Sequence, residues 1–532
     1  MVKEAVDTRA HHARGRLHSS LPSRAPMRAL FYVPPPDYNR RKSPIDRVYG
    51  CNYGYDYKPP IHLLQVATAL REWAGWEIRF LDCPAEGMDG AAFTAFAEAE
   101  RFDVACSWAV YLSAEEDLHA MRVLRTPNPA MRAVFMGTAA TWKPEEFIDD
   151  EDCFCLLGEP ELTLLELARA WAAGGAPDLA AIDGLAWKDG DTVRRNPFRK
   201  LLDVSALPMP DRRMLLGNYR ANRLDVHPIT TMVVSRGCGF RCTFCTPNAI
   251  DQAIELEFKR LQPEWYVDRP PLRKRTVDQI VAEFEDIAAL GYKGVEVADN
   301  IFTWGKARTQ EICERIAPLG LHWLCLARAN MLHDPATIQA MAKAGCKMVY
   351  MGSESFDDGL LEDMVKEIKV KDIEKAVKVC RENGVEPEVS VLMGASPNET
   401  WKTLWWSWKA SRRLGTRFVH FSVALPAPST ELYDIARKEG WFVDGDFTPA
   451  DNVRDVIVNL PHLSAQELRL ALKLAYAGQY LSPRGLWWQV RNVGSLTDLR
   501  HKAKSAGKLF TFLAERERQL PVPPGRVTPL PL

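Results

Sequence analysis

Two long series of short apolar runs, each run followed by a helical pattern, constrain this chain more than any other feature of its sequence. The first series opens with a run at 29–33, stopped by Pro34, Pro35 and Pro36. A helical pattern follows, with Leu63, Leu64, Ala67 and Leu70 on one face. Strand patterns then recur at 77–81, 104–109, 133–136 and 153–157, and helical ones at 91–99, 115–124 and 161–171. The second series places strands at 231–235, 294–298, 322–327, 348–352, 386–392 and 418–424, and helices at 277–290, 307–316, 335–344, 371–383 and 400–414. Strands separated by helices pair in parallel, with the crossover helices covering the sheet faces. The expected fold class is therefore α/β. It combines an N-terminal doubly wound, Rossmann-like parallel sheet, a central (β/α)6 partial TIM barrel and a C-terminal helical region. In both sheet architectures ligands bind beyond the carboxyl ends of the strands.

At 532 residues the chain exceeds what one ordinary core holds. Residues 1–26 carry Arg9, Arg14, Arg16, Arg24, His11, His12 and His18 without an apolar stretch, so no secretory signal is expected there, only a disordered extension. Residues 27–175 form the first expected domain. A linker rich in Gly, Pro, Asp and Arg covers 176–228 and contains a hairpin at 182–188 turning on Asp189, Gly190 and Asp191. The barrel is expected over 229–443 and helical structure over 444–520, where Ser464 and Glu467 form a capping box. Residues 521–532 form a proline-rich tail, expected to be disordered. A net charge of −1 gives no basic field for nucleic acid, and no run of about 18 apolar residues predicts a membrane span. Cys106, Cys313, Cys325, Cys346 and Cys380 stand singly in apolar stretches and read as buried free thiols of a reducing compartment, the cytoplasm.

Three cysteines break that pattern. Cys238, Cys242 and Cys245 fall within Ser235-Arg236-Gly237-Cys238-Gly239-Phe240-Arg241-Cys242-Thr243-Phe244-Cys245, directly after an apolar strand. Three thiolates in one compact loop suit a soft metal site. On spacing alone this is an iron–sulfur cluster with one open iron, or a zinc site with a distant fourth ligand. No second CxxC pair is present to favour zinc.

The CxxxCxΦC pattern after a first barrel strand resembles the radical S-adenosylmethionine (SAM) superfamily, with Phe244 at the aromatic position. Gly352-Ser353-Glu354-Ser355 resembles that family's G-x-E-S segment, Gly394 to Thr400 its G-x-P-x-E-T turn, and Asp299-Asn300-Ile301-Phe302 its segment after the second strand. Arg328 matches a recurrent Arg after the third. The resemblance covers roughly 230–440. It implies a [4Fe–4S] cluster on the three cysteines and SAM held by Phe244, Arg328, Gly352, Glu354, Ser355, Gly394 and Glu399.

The N-terminal half is similar to the cobalamin-binding domains fused to such enzymes, through Lys58-Pro59-Pro60-Ile61-His62 and on to Asp82, through Gly137-Thr138-Ala139-Ala140-Thr141, and through Gly158-Glu159-Pro160-Glu161. This implies corrin contacts from Ser107, Gly137, Thr138, Thr141, Gly158 and Glu159. A DxHxxG-like loop is missing: Asp117-Leu118-His119 ends in Arg122 and lies in a helical pattern, so His119 is expected to be a surface or packing residue.

The resemblance thus implies a cobalamin-dependent radical SAM methyltransferase. A 5′-deoxyadenosyl radical from SAM would take hydrogen from an unactivated carbon of a small-molecule or natural-product substrate, and methylcobalamin would return a methyl group. A flavodoxin or ferredoxin would supply electrons. The anaerobic magnesium-protoporphyrin monomethyl ester cyclase has the same domain order, so ring formation is the alternative. A tRNA methylthiotransferase would need a second cluster, for which only Cys51, Cys83 and Cys106 offer themselves, and an RNA-binding barrel where the sequence reads helical. A non-enzymatic cluster protein would release no 5′-deoxyadenosine. Trp401, Trp405, Trp406 and Trp408, with Trp487 and Trp488, would line a pocket for a large flat or lipidic substrate or, more commonly, form core or interdomain packing. The stretch 248–274 reads as a long loop carrying substrate contacts.

Overall fold

The computed structural model describes residues 26–40, 42–50, 57–174, 176–219, 224, 226–261, 269–483, 486–487, 503, 506–507 and 509–514. Its first sheet contains β1 (Arg28–Val33), β2 (Glu77–Asp82), β3 (Val104–Trp108), β4 (Arg132–Met136), β5 (Cys153–Leu156), β6 (Leu185–Asp189) and β7 (Thr192–Arg195). The spatial order is 2-1-3-4-5-6-7. The first five strands are parallel, and the order reverses at β1, as in a doubly wound sheet. The hairpin expected at 182–191 is present and adds β6 and β7 as antiparallel strands at the β5 edge.

The ribbon β9 (Ser235–Arg236) and β10 (Arg273–Lys274) flanks a second sheet. That sheet is built from β8 (Ile229–Met232), β11 (Gly294–Val297), β12 (His322–Ala327), β13 (Cys346–Glu354), β14 (Glu386–Met393) and β15 (Phe418–Val423). Its six strands lie side by side in chain order, all parallel, with β8 and β15 at the edges: an open barrel. Helices such as Val277–Ala289, Lys306–Ile316 and Val370–Glu382 bury one apolar stripe each against the outer face.

Three departures from the sequence reading matter. The stretch read as a loop after the cysteines contains the helix Ala249–Leu261. Two short helices not expected from the sequence, Asp358–Asp363 and Glu431–Lys438, follow β13 and β15. Beyond 444, the region read as mainly helical is largely irregular before the helix Ala465–Tyr480, whose Ser464–Glu467 capping box is present. No described helix is long and apolar enough to cross a membrane.

The two sheets share a core. The helix Ile61–Ala74 buries all of its first ten residues, on every side rather than on the one face expected. It lies in one apolar cluster with strand residues of the first sheet and with Ile229, Leu324 and Met348 of the second.

Candidate active site

The cysteine loop starts where β9 turns away from the barrel. Gly237 has φ +87°, and a Cβ there would lie 2.7 Å from the Pro271 carbonyl oxygen, so the turn needs glycine. Its N–H donates to Asp251 Oδ1 at 2.7 Å. Thr243 N donates to the Met364 carbonyl at 3.0 Å, and Arg269 donates to the Phe240 and Cys242 carbonyls. The loop is therefore tied to two barrel connections and to the helix Ala249–Leu261. Cys242 is buried, and Cys238 and Cys245 are half-buried. Burial pushes the Cys238 thiol up to about 11 and Cys245 well above its ordinary value.

All three cysteines line one cavity of about 350 Å³, at the low end for a small-molecule site. Phe244, Arg328, Gly352 and Glu354 line it as well. Arg328 is buried, with Nη1 3.6 Å from Cys242 Sγ and its guanidinium 3.5 Å from the centre of the Phe240 ring. Glu354 ends β13 at φ +62° and accepts a hydrogen bond from Lys366 Nζ at 2.7 Å. Burial is the largest influence on the Lys366 ammonium and would lower it, but Glu354 and Cys242 together outweigh it and the net shift is upward. Asn300 and Ile301 also reach the cavity, whereas Asp299 turns back to hold the backbone of Val234 and the hydroxyl of Ser235.

Three of the residues expected at SAM do not line the cavity. Ser355 Oγ lies 3.3 Å from Ser407 Oγ and accepts from Asp357 N. Gly394, at φ +84°, donates its N–H to the Glu399 carboxyl, which is fully enclosed and pushed by burial up to about 8. These three shape the strand-end turns that carry the lining residues.

Among the residues expected at a corrin, Thr138 lines the same cavity, next to Tyr111 and Leu112. The other five do not line it and have internal roles. Ser107 donates to Asp117, which is paired with Arg47 at 2.6 Å. Thr141 Oγ1 accepts from Gly158 N at 3.2 Å. Gly137 has φ +96° and its missing Cβ leaves room for the Ala109 carbonyl. Glu159 is buried and paired with Arg236 at 2.7 Å and with Arg273 at 2.8 Å. Glu161 completes the pair with Arg236. His119 is exposed and packs edge-on against Tyr38, as a surface residue.

The sequence reading missed two features. Arg236, within the cysteine loop, is locked to the first sheet by Glu159 and Glu161. Lys58 Nζ donates to Glu296 Oε1 at 2.6 Å on the cavity wall. A charged residue between Val295 and Val297 in a fully buried parallel strand was the available signal for the second. Of the two cysteines considered for a second cluster that are described, Cys83 and Cys106 are both buried and neither lines the cavity; Cys51 and Trp488 lie outside the described residues. None of Trp401, Trp405, Trp406, Trp408 and Trp487 lines it.

Residues 232–406 match the Radical SAM superfamily. The chain carries a radical SAM domain. It is an enzyme, and a [4Fe–4S] cluster and SAM are the cofactors of such a domain. The match begins in β8 and spans the cysteine loop, Arg328, Glu354 and Glu399. The chain is 27% identical over 469 residues to the "Uncharacterized methyltransferase PH0819" of Pyrococcus horikoshii, covering 86% of this chain and 94% of that one. Two solved structures share the fold over most of this chain. The radical S-adenosylmethionine methyltransferase TsrM from Kitasatospora setae, with cobalamin and a [4Fe–4S] cluster, superposes with TM-score 0.59 at 20% identity over 78% of each chain. The cobalamin-dependent S-adenosylmethionine radical enzyme OxsB, with aqua-cobalamin and S-adenosylmethionine, does so with TM-score 0.66 at 13% identity over 92% of this chain and 72% of that one.

Proposed function

We propose that this protein is a cobalamin-dependent radical SAM methyltransferase acting on an unactivated carbon of a small-molecule substrate. The observation that carries this reading is one cavity lined both by the cysteine loop, Arg328, Glu354 and Lys366 of the radical SAM domain and by Thr138, Tyr111 and Leu112 of the first domain.

The residues present suit the cluster. Three thiols converge on one cavity, and burial disfavours the charged form of Cys238 and Cys245 unless a positive centre offsets it. Cys238, Cys242 and Cys245 would hold the iron. Arg328 sets a permanent cation beside Cys242. For SAM, Glu354 would accept hydrogen bonds from an ammonium or ribose hydroxyls, and Lys366 fixes the rotamer of its carboxylate. Gly352 keeps that wall low, since a Cβ there would lie 2.5 Å from Glu354 Oε1. For cobalamin, the support is Thr138 at the cavity and the fold shared with the two solved structures. His119 is exposed against Tyr38 and does not line the cavity. When bound, the cluster supplies an electron for reductive cleavage of SAM, and the corrin carries the methyl group.

The protein's own part is to orient these groups and exclude water. Reconstitution under anaerobic conditions with iron, sulfide and cobalamin tests the reading through absorbance and 5′-deoxyadenosine release. Corrin absorbance retained after desalting is expected. Release of 5′-deoxyadenosine by protein that holds no corrin would defeat the cobalamin assignment. A product without the added methyl mass would favour ring formation instead.

A further inference from the structure

The helix Trp401–Leu414 buries Leu404, Ser407, Ala410 and Ser411 and presents a different kind of surface to solvent. Trp405 is 60% exposed and Trp406 47%, with Trp401 at their edge. Large aromatics this open on a folded surface mark contact sites. The same helix carries Lys402, Lys409, Arg412 and Arg413 and no acid. Arg413 lies over the Trp406 ring at 5.2 Å, and Arg412 over Trp408 at 4.9 Å.

The helix Ala465–Tyr480 packs alongside. Trp408 Nε1 donates to the Ala475 carbonyl at 3.3 Å, and Trp401 Nε1 to Glu467 Oε1 at 3.0 Å. This second helix leaves Leu470 and Leu474, one turn apart, about half exposed, and adds Arg469 and Lys473. Its one acid, Glu467, is the group bonded to Trp401. The two helices thus carry three exposed tryptophans, two exposed leucines and six cations, and the acids beside them are engaged, Glu467 with Trp401 and Asp455 with Arg469 at 4.0 Å. Tryptophan with leucine on one face, flanked by Lys and Arg, is the composition of a surface that sits in the headgroup region of a bilayer. The cations favour anionic lipid. A second copy of the same face would oppose cation to cation.

We propose that this two-helix face docks on an anionic phospholipid bilayer, as a peripheral contact without insertion of a span. The full-length protein is tested by co-sedimentation with vesicles of phosphatidylcholine alone or mixed with phosphatidylglycerol, at about 0.1 M and 0.5 M salt. Binding is expected to the mixed vesicles at low salt. It should fall by about tenfold or more at high salt, in the double variant Trp405→Ala/Trp406→Ala, and in Lys402→Glu/Lys409→Glu. Far-ultraviolet circular dichroism and cluster absorbance of both variants should match the wild type, showing that they fold. Equal binding to both vesicle types, no binding to either, or variants that bind like the wild type would overturn the proposal. So would a dimer in light scattering that Trp405→Ala/Trp406→Ala dissolves, because a second copy would then own the face.

Discussion

The strand ends of the two sheets were expected to do the same job, and they do it differently. At the radical SAM domain, the cysteines, Phe244, Arg328, Gly352 and Glu354 face one cavity. At the first sheet, Thr138 reaches it, while Ser107, Gly137, Thr141, Gly158 and Glu159 build turns and ion pairs. The difference teaches that motif residues at a strand end come in two kinds. Some face the ligand space, and others hold the loop that does. Glu159 belongs to the second kind: by pairing with Arg236, it fastens the cysteine loop to the first sheet.

The largest effect is expected inside the cavity. Cys242→Ala should remove the cluster's visible absorbance and all 5′-deoxyadenosine release; an unchanged spectrum would take this residue out of the ligand set. Next comes the ion pair between the sheets. Arg236→Gln takes the ion-pair partner from buried Glu161 and leaves Glu159 with Arg273 alone, and should cost about 3–5 kcal/mol in urea unfolding. A loss near zero would mean that the two strand ends are not mechanically coupled.

The third test concerns a buried carboxyl that shapes a turn. Burial raises Glu399 from its ordinary 4.5 to about 8, so the folded state favours its neutral form. Its contribution is complete below about 4.5 and is lost as pH rises through 8, a decline on the order of 5 kcal/mol. Unfolding of the wild type and of Glu399→Gln, compared from pH 5 to 9, should give a steeper fall for the wild type. Parallel curves would show that the carboxyl is ionised in the fold. The smallest effect is at Thr138. Thr138→Ala should weaken cobalamin retention about fivefold, read from corrin absorbance after dialysis, with the unfolding midpoint unchanged.

Much of the fold was legible because parallel strands buried on both faces read as continuous apolar runs. Each barrel strand was found close to its expected position. The helix Ala249–Leu261 was missed because Asp251, Gln252, Glu255 and Glu257 on it are all buried. A helix enclosed by both sheets shows no clean polar face, so periodicity fails. The cysteines were legible from spacing, and Arg328 and Glu354 from motif order. The roles of Ser355 and Glu399 were not, since a motif does not say whether a side chain faces the ligand or its own backbone. Arg236 and Glu159 stand 77 positions apart, and no local pattern links them.

The helix Ile61–Ala74 buries its first ten residues in an apolar cluster that holds residues of both sheets. It has no outside there. A chain divided in the connection after β7 would hand each half one side of an apolar wall, and both halves would be sticky. The two units cannot be recombined freely with others of their kind: any new partner must match the shape of this shared wall before it can match any chemistry at the strand ends.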